Sequence, residues 1–542
     1  MSAVPFIEVD SINANGDARI HVGNNFYATE DRCLVDLRIT DPRHDKRRIE
    51  ETKGGLIQDC YCWVLTNDDF RQWKDDVQSP LLWIKGDPGK GKTMLLCGII
   101  DALSPSTMLK DPNANSLLSY SFCQGTDARI NNAVSVLRGI IYLIVYQKRQ
   151  LASHVRRQYE IAGKELFEGV NAWVALCDIF NSIVQDPDLP PTYLVIDALD
   201  ECGEHQMELL DLIVTSSNAS DRVKWIVSSR NWAIIEERLQ HASRKTLSLE
   251  LNASSVSAAV THYVHEKVGR LASMKSYSEE TRKATYKYLL ENADGTFLWV
   301  ALVCRNLENV RAAKTLKILY TFPPGLEPLY QRMMVQIRTM EDADDREICM
   351  QLLSVATIVY RPLMLEELAS LVDLPGEDSL ENIIELCGSL LAIRECALYF
   401  VHQSVKEFLT RCVFPQGMGR THLILFQRSV SLLNKTLRRD IYDLEHPGTL
   451  IDDVVDPTPD PLAPVRYSCI YWLDHLIEAV ISDLDSGASH ELQDNGPLHE
   501  FIRRKYLYWL EALSLLGSML EGITSMIKLN EITVGDLTST SS

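Results

Sequence analysis

Residues 86–93 read Gly-Asp-Pro-Gly-Lys-Gly-Lys-Thr. Glycines at the first and sixth positions, followed by Lys and Thr, suit one chemistry, the holding of a phosphate chain. Glycine lets the backbone close around phosphate oxygens and turn its N–H groups inward. Lys92 is expected to reach the β- and γ-phosphates, and the hydroxyl of Thr93 to hold Mg²⁺. Gly86, Asp87, Pro88, Gly89, Lys90, Gly91, Lys92, Thr93 and the adjacent Met94 are therefore candidate nucleotide contacts.

Such a loop needs a metal carboxylate from another strand. "TYLVIDALDEC" (192–202) supplies a buried-strand run that ends in Asp197, Asp200 and Glu201. An acidic residue at a strand's C-terminal end lies at the sheet edge where the loop also sits. Asp197 is the candidate for Mg²⁺, mostly through water. Asp200 or Glu201 is the candidate for polarising an attacking water. "VKWIVSSR" (223–230) ends in Arg230, which at the same edge is placed to sense a γ-phosphate. A surface Arg after a strand explains Arg230 about as well on spacing alone. The candidate catalytic group is Lys92, Asp200, Glu201 and Arg230.

These side chains must be positioned by alternating elements. "LLWI" (81–84) is a short apolar run ending near glycine, and "TMLLCGIIDAL" behind the loop has helical spacing. "LLSYSFCQGTDARINNAVSVLRGIIYLIV" (117–145) reads as a strand and a long amphipathic helix. Strands alternating with helices over about 80–240 predict an α/β core with a doubly wound parallel sheet. Residues 241–335 read as mostly helical. "DREICMQLLSVATIVYRPLMLEELASLV" (345–372) reads as helix, turn at Arg361-Pro362, helix. "SLENIIELCGSLLAIRECALYFVHQSVKEFL" (379–409) reads as helix, hairpin, helix.

Composition narrows the class. The chain has 542 residues, more than one domain's worth, with 46% hydrophobic and 24% charged residues. The net charge of −20 argues against a general binder of nucleic acid or anionic membrane. Thirteen cysteines follow neither a disulfide framework nor zinc spacing. A reducing, cytoplasmic setting is expected. The N-terminus lacks a basic region followed by an apolar one. The most apolar run, "GIIYLIVY" (139–146), is too short to span a bilayer.

"GDPGKGKT", "LVIDALDEC" and "IVSSR" together resemble the NACHT family of P-loop NTPases, closest to fungal proteins of the heterokaryon-incompatibility type. So do "DPRHDKRRIEETKGGL" (41–56), "FCQGTDARINNAVSVLRGIIY" (122–142), "GTFLWVALV" (295–303) and "PPGLEPLYQRMM" (323–334). The resemblance implies an N-terminal tail over 1–34, an NTPase core over 35–240 with motifs at 81–230, and a helical domain over 241–335. It further implies a winged-helix domain over 336–415 and a C-terminal helical segment over 416–542 with an acidic, Pro-rich loop. It implies that His402, in "YFVHQSVKEFL", contacts the β-phosphate of a bound diphosphate. From its residues alone, a His between a strand and a helix start is more often structural. Related switches carry Gly-x-Pro where this chain has Gly295-Thr296-Phe297, which leaves adenine or guanine open. Arg48 and Ile49 fall where relatives often contact base or sugar.

The expected function is a switch that binds and slowly hydrolyses ATP or GTP with Mg²⁺. It alternates with ADP or GDP, self-associates on activation, and serves incompatibility, cell death or defence. Two alternatives are a conventional P-loop NTPase and an interaction scaffold with a degenerate site. A DNA-binding winged helix is disfavoured because "LMLEELASLV" is acidic. No repeat period follows residue 420, and a naturally short member or an incomplete gene model both fit. "NANGDARIHVGNNFYA" (13–28) alternates with period two and carries Asn and Gly. It resembles amyloid-signalling motifs that template an effector protein, while a plain short hairpin or disordered tail is the more ordinary reading.

Overall fold

The computed structural model describes residues 32–539, apart from 128, 241, 243, 373–379, 395, 415–416, 447–448, 450, 452–453, 483–490 and 494–495. The alternating segment at 13–28 lies outside the described residues.

Five parallel strands form the central sheet in the order β2-β3-β4-β1-β5. They are β1 Leu81–Lys85, β2 Leu117–Phe122, β3 Thr192–Asp197, β4 Val223–Ser229 and β5 Arg244–Ser248. The first four are apolar runs because helices cover both faces of a parallel sheet. Leu81, Leu82, Trp83 and Ile84 are all fully buried. A buried indole N–H usually finds an acceptor. Trp83 Nε1 donates to Ser229 Oγ at 2.8 Å, and Trp225 Nε1 to Ser216 Oγ at 3.1 Å.

Two expectations need correction. β5 lies inside the stretch expected to be mostly helical. Its "RKTLS" has no apolar run, because an edge strand is only partly covered. The helix Ala133–Gln147 is not amphipathic: twelve of its fifteen residues are buried. It packs against β2 and the helix Ala172–Val184. Its guanidinium, Arg138, is satisfied by the carbonyls of Leu37, Phe167 and Asp36.

Helices Ala253–Lys275, Glu279–Asn292, Phe297–Glu308 and Leu326–Arg338 follow the sheet. Then come helices Ala343–Ile358, Leu365–Leu371 and Leu380–Leu386, the antiparallel hairpin β6 Leu391–Arg394 and β7 Ala397–Phe400, and the helix Gln403–Cys412. This is the helix–turn–helix, helix–hairpin–helix order that the sequence predicts. Helices Gly419–Thr436, Arg466–Ser482, Pro497–Leu515 and Met519–Ser539 build a second core around Trp472, Trp509 and Phe501. All three of these aromatic side chains are buried.

One buried carboxylate joins these parts. Glu367 accepts from both terminal nitrogens of Arg361, at 2.8 and 2.6 Å, and from Met364 N at 2.8 Å. It also accepts from Tyr467 N, at 3.1 Å, on the C-terminal bundle.

The phosphate-loop helix is crowded along its length. A Cβ at Gly98 would sit 2.3 Å from the ring of Tyr61. Gly98→Ala is expected to destabilise the protein by about 1–3 kcal/mol, the usual cost of overpacking. Urea unfolding measures it, and an unchanged midpoint would contradict this packing.

Candidate nucleotide site

The loop between β1 and the helix Lys92–Leu103 depends on glycine twice over. Gly89 and Gly91 adopt φ of +78° and +89°, the left-handed region. They also leave room for a neighbour. A Cβ on Gly89 would lie 2.8 Å from Thr296 Cγ2, and one on Gly91 would lie 3.0 Å from the Phe297 ring. Leu298 N donates to Gly89 O at 3.4 Å. The helix then starts at Gly91 with no side-chain cap, whereas Ser278 and Asp342 cap their own helices. Uncapped N–H groups at a helix start favour an anion.

The loop's charged side chains divide. Lys92 Nζ donates inward to the carbonyls of Gly86 and Asp87, at 2.5 and 3.1 Å. Lys90 Nζ turns away to Asp294 O at 2.8 Å. Asp87 N is held from outside by Glu250 at 2.8 Å.

The acidic residues after β3 are held individually. Asp197 Oδ1 accepts from Ser228 Oγ at 2.6 Å, and Ser228 Oγ accepts from Ala198 N at 2.9 Å. Asp200 accepts from Arg230 N at 3.0 Å and pairs with Arg230 Nε at 2.9 Å. Glu201 accepts from Gly125 N at 2.8 Å. Burial raises the pKa of Asp200 and pushes that of Glu201 up to about 7. Burial lowers the pKa of Lys92. A carboxylate poised near neutrality is suited to taking a proton from water.

Arg230 also reaches across to Glu407 on the helix Gln403–Cys412, at 2.9 and 2.6 Å. His402 is the cap of that helix. Its Nδ1 accepts from Ser404 N at 3.1 Å. Burial lowers its pKa well below the ordinary histidine value. The neutral ring therefore carries its proton on Nε2, which makes it a donor toward an anion.

A cavity of about 300 Å³ brings these groups together. Pro88 to Met94, Asp197, Asp200, Glu201, Arg230 and His402 all line it. Gly86 and Asp87 form the start of the loop and do not line it. Its lining also includes apolar and aromatic side chains, Leu56, Ile57, Tyr61, Trp63, Tyr263 and Phe297, with Lys53, Lys267, Arg305 and Glu308 among them. Phe297 meets Tyr263 edge-on, with centroids 5.4 Å apart. The expectation for Arg48 and Ile49 is corrected: neither lines the cavity. Arg48 bonds Gln124 and Asp45, at 3.1 and 3.2 Å, and Ile49 is core. The chain reverses at Gly54 and Gly55, with φ of +86° and +89°, and brings Leu56 and Ile57 in instead. No motif marks Tyr61, Trp63 or Tyr263.

The donor set fits a magnesium nucleotide. Among the described residues, no three His, Cys, Asp or Glu side chains are grouped to hold a metal by themselves. Mg²⁺ usually takes only one or two carboxylates and completes its shell with phosphate oxygens and water. Thr93 and Asp197 both line the cavity and carry the hydroxyl and carboxylate that such a shell takes.

A family model for the N-terminal region of nephrocystin 3 matches residues 59–230, from the cavity's apolar wall to Arg230. The vegetative incompatibility protein HET-E-1 of Podospora anserina is 53% identical over 527 residues, which is 93% of this chain. This chain resembles the fungal NACHT-type incompatibility proteins. It spans 38% of that relative's length. Among solved structures, a Walker-type ATPase of Pyrococcus abyssi is 12% identical and covers 69% of this chain and 99% of its own, at a TM-score of 0.32. The ORC2 protein of Aeropyrum pernix is 11% identical over 71% of this chain and 99% of its own, at 0.27. No helix among the described residues is long and apolar enough to cross a membrane.

The raised Glu201 carboxyl has a pH signature. Its folded pKa of about 7 lies above the ordinary value of 4.5. Its contribution to stability is therefore present below about 4.5 and lost as pH rises through 7. Glu201→Gln keeps an acceptor for Gly125 N–H and removes that loss. The variant is expected to be more stable than wild type at pH 8, by up to ~3 kcal/mol, and little different at pH 5. Denaturation at the two pH values decides it. Superimposable curves at both would contradict a buried carboxyl.

Proposed function

We propose that this chain is a nucleotide-dependent signalling switch that binds ATP or GTP with Mg²⁺ and hydrolyses it slowly. The observation that carries the reading is the single cavity. Its lining joins the phosphate loop, the acidic edge, Arg230 and His402, which come from four separate stretches of chain. A plain NTPase core needs no wall from residues 253–308 or from His402. A switch does, because closure of those parts can then depend on which nucleotide is bound.

Each residue has a definite task in this reading. Gly89 and Gly91 shape the loop, and Lys92 and the helix start hold the phosphates. Thr93 and Asp197 orient the metal, which when bound neutralises charge between the β- and γ-phosphates. Glu201 or Asp200 holds the attacking water, with Glu201 the better base at neutral pH. His402 Nε2–H donates to a β-phosphate and keeps the resting form closed. We read the helices and hairpin over 336–415 as a winged-helix unit that opens on exchange to triphosphate and releases surface for self-association. The relationship to an incompatibility protein supports an output in cell death or defence. The segment at 13–28 is proposed as the contact to an effector.

Purified protein, denatured and analysed chromatographically for released nucleotide, tests this. Wild type is expected to carry close to one diphosphate per chain, and Lys92→Ala to carry none. Wild type that holds nothing and binds neither ATP nor GTP would favour a scaffold. Wild type that is empty yet turns over rapidly, near ~1–100 s⁻¹, would favour a conventional NTPase.

A further inference from the structure

The fork of Arg230 is already occupied. Its two terminal nitrogens lie 2.9 and 2.6 Å from the two carboxylate oxygens of Glu407. Its Nε is 2.9 Å from Asp200. Bidentate pairing of this kind fixes a guanidinium in both place and direction. The Arg230 side chain is 15% exposed and that of Glu407 is 40% exposed. Arg230 lines the cavity beside Lys92, Asp200 and Glu201, where the terminal phosphate of a triphosphate would sit.

We infer that Glu407 is a specificity-determining residue for the phosphate count: its carboxylate takes the edge of Arg230 that a γ-phosphate would take. The inference rests on the switch reading and adds the group that sets its resting preference. A diphosphate leaves the Arg230–Glu407 pair intact. A triphosphate either breaks that pair or places its last phosphate beside two carboxylates, Glu407 and Asp200, without a free arginine fork. Both cost free energy that a diphosphate does not incur, so the closed form favours diphosphate. A ligand shifts a two-state protein only by its differential affinity for the two states. Here the differential is built from one ion pair between the sheet edge and the helix Gln403–Cys412.

That helix does not need Glu407 to stay in place. Val405, Phe408 and Leu409 are buried beneath it. Tyr330 reaches Ser404 Oγ at 2.9 Å and packs on Phe408 at 5.4 Å. Removing the charge therefore leaves the fold and alters the competition.

The test is equilibrium binding to the full chain with Mg²⁺, comparing ADP with AMP-PNP and GDP with GMP-PNP. In Glu407→Gln, the ratio of triphosphate-analogue to diphosphate affinity is expected to rise on the order of tenfold. Glu407→Ala is expected to shift the ratio in the same direction. In an Arg230→Gln background, Glu407→Gln is expected to change the ratio little, since the partner is gone. A folded Glu407→Gln or Glu407→Ala protein with the wild-type ratio overturns the role of Glu407 and leaves the switch standing. Wild type that binds none of the four nucleotides overturns the switch, and the inference with it.

Discussion

The contact between two bare glycines and the segment Thr296–Leu298 is the constraint on which the site depends. Because Gly89 and Gly91 carry no side chain, the helix Phe297–Glu308 can rest directly on the phosphate loop. That approach fixes the roof of the cavity and faces Phe297 and Tyr263 across it. It also turns the start of a second helix toward the cavity. Helices beginning at Lys92, Phe297 and Gln403 all open at its wall, so backbone dipoles add to the side-chain cations there.

The acidic edge shows how neighbouring carboxylates become different chemical groups. Asp197 is held by a serine hydroxyl, Asp200 by a guanidinium, and Glu201 by a single backbone N–H. The carboxylate with the least support in its buried position is the one pushed to about 7. In the proposed switch, a division of labour between metal holding and proton transfer would follow from these partners.

What the sequence made legible was short in range. The loop, the strand before it and the acidic strand end each lie within about a dozen residues, so types and spacing suffice. β5 escaped because an edge strand needs no apolar run. The helix Ala133–Gln147 was misread because its polar-looking positions are satisfied internally, Arg138 by three carbonyls. Arg48 and Ile49 were expected in the cavity, but two positive-φ glycines downstream turn the chain and bring Leu56 and Ile57 there. Glu407 was illegible for another reason. On its own helix it is one more exposed acid, and only the fold brings it to Arg230, 177 positions away in sequence. Contacts of that range carry no local signature.

Glu367 gives the C-terminal helices a mechanical place in the molecule. Its carboxylate bonds Tyr467 N on one side and Met364 N on the other. Met364 bridges Ala397 of β7, and Leu398 N donates to Leu363 O at 2.8 Å. β7 then runs through Val401 into His402. A load applied to the C-terminal bundle is in series with that strand, and so with the histidine at the phosphate wall and the glutamate on Arg230. In the proposed switch, movement of the C-terminal bundle is thereby coupled to the nucleotide wall, through Glu367 together with the Tyr360–Tyr467 and Arg428–Leu371 hydrogen bonds.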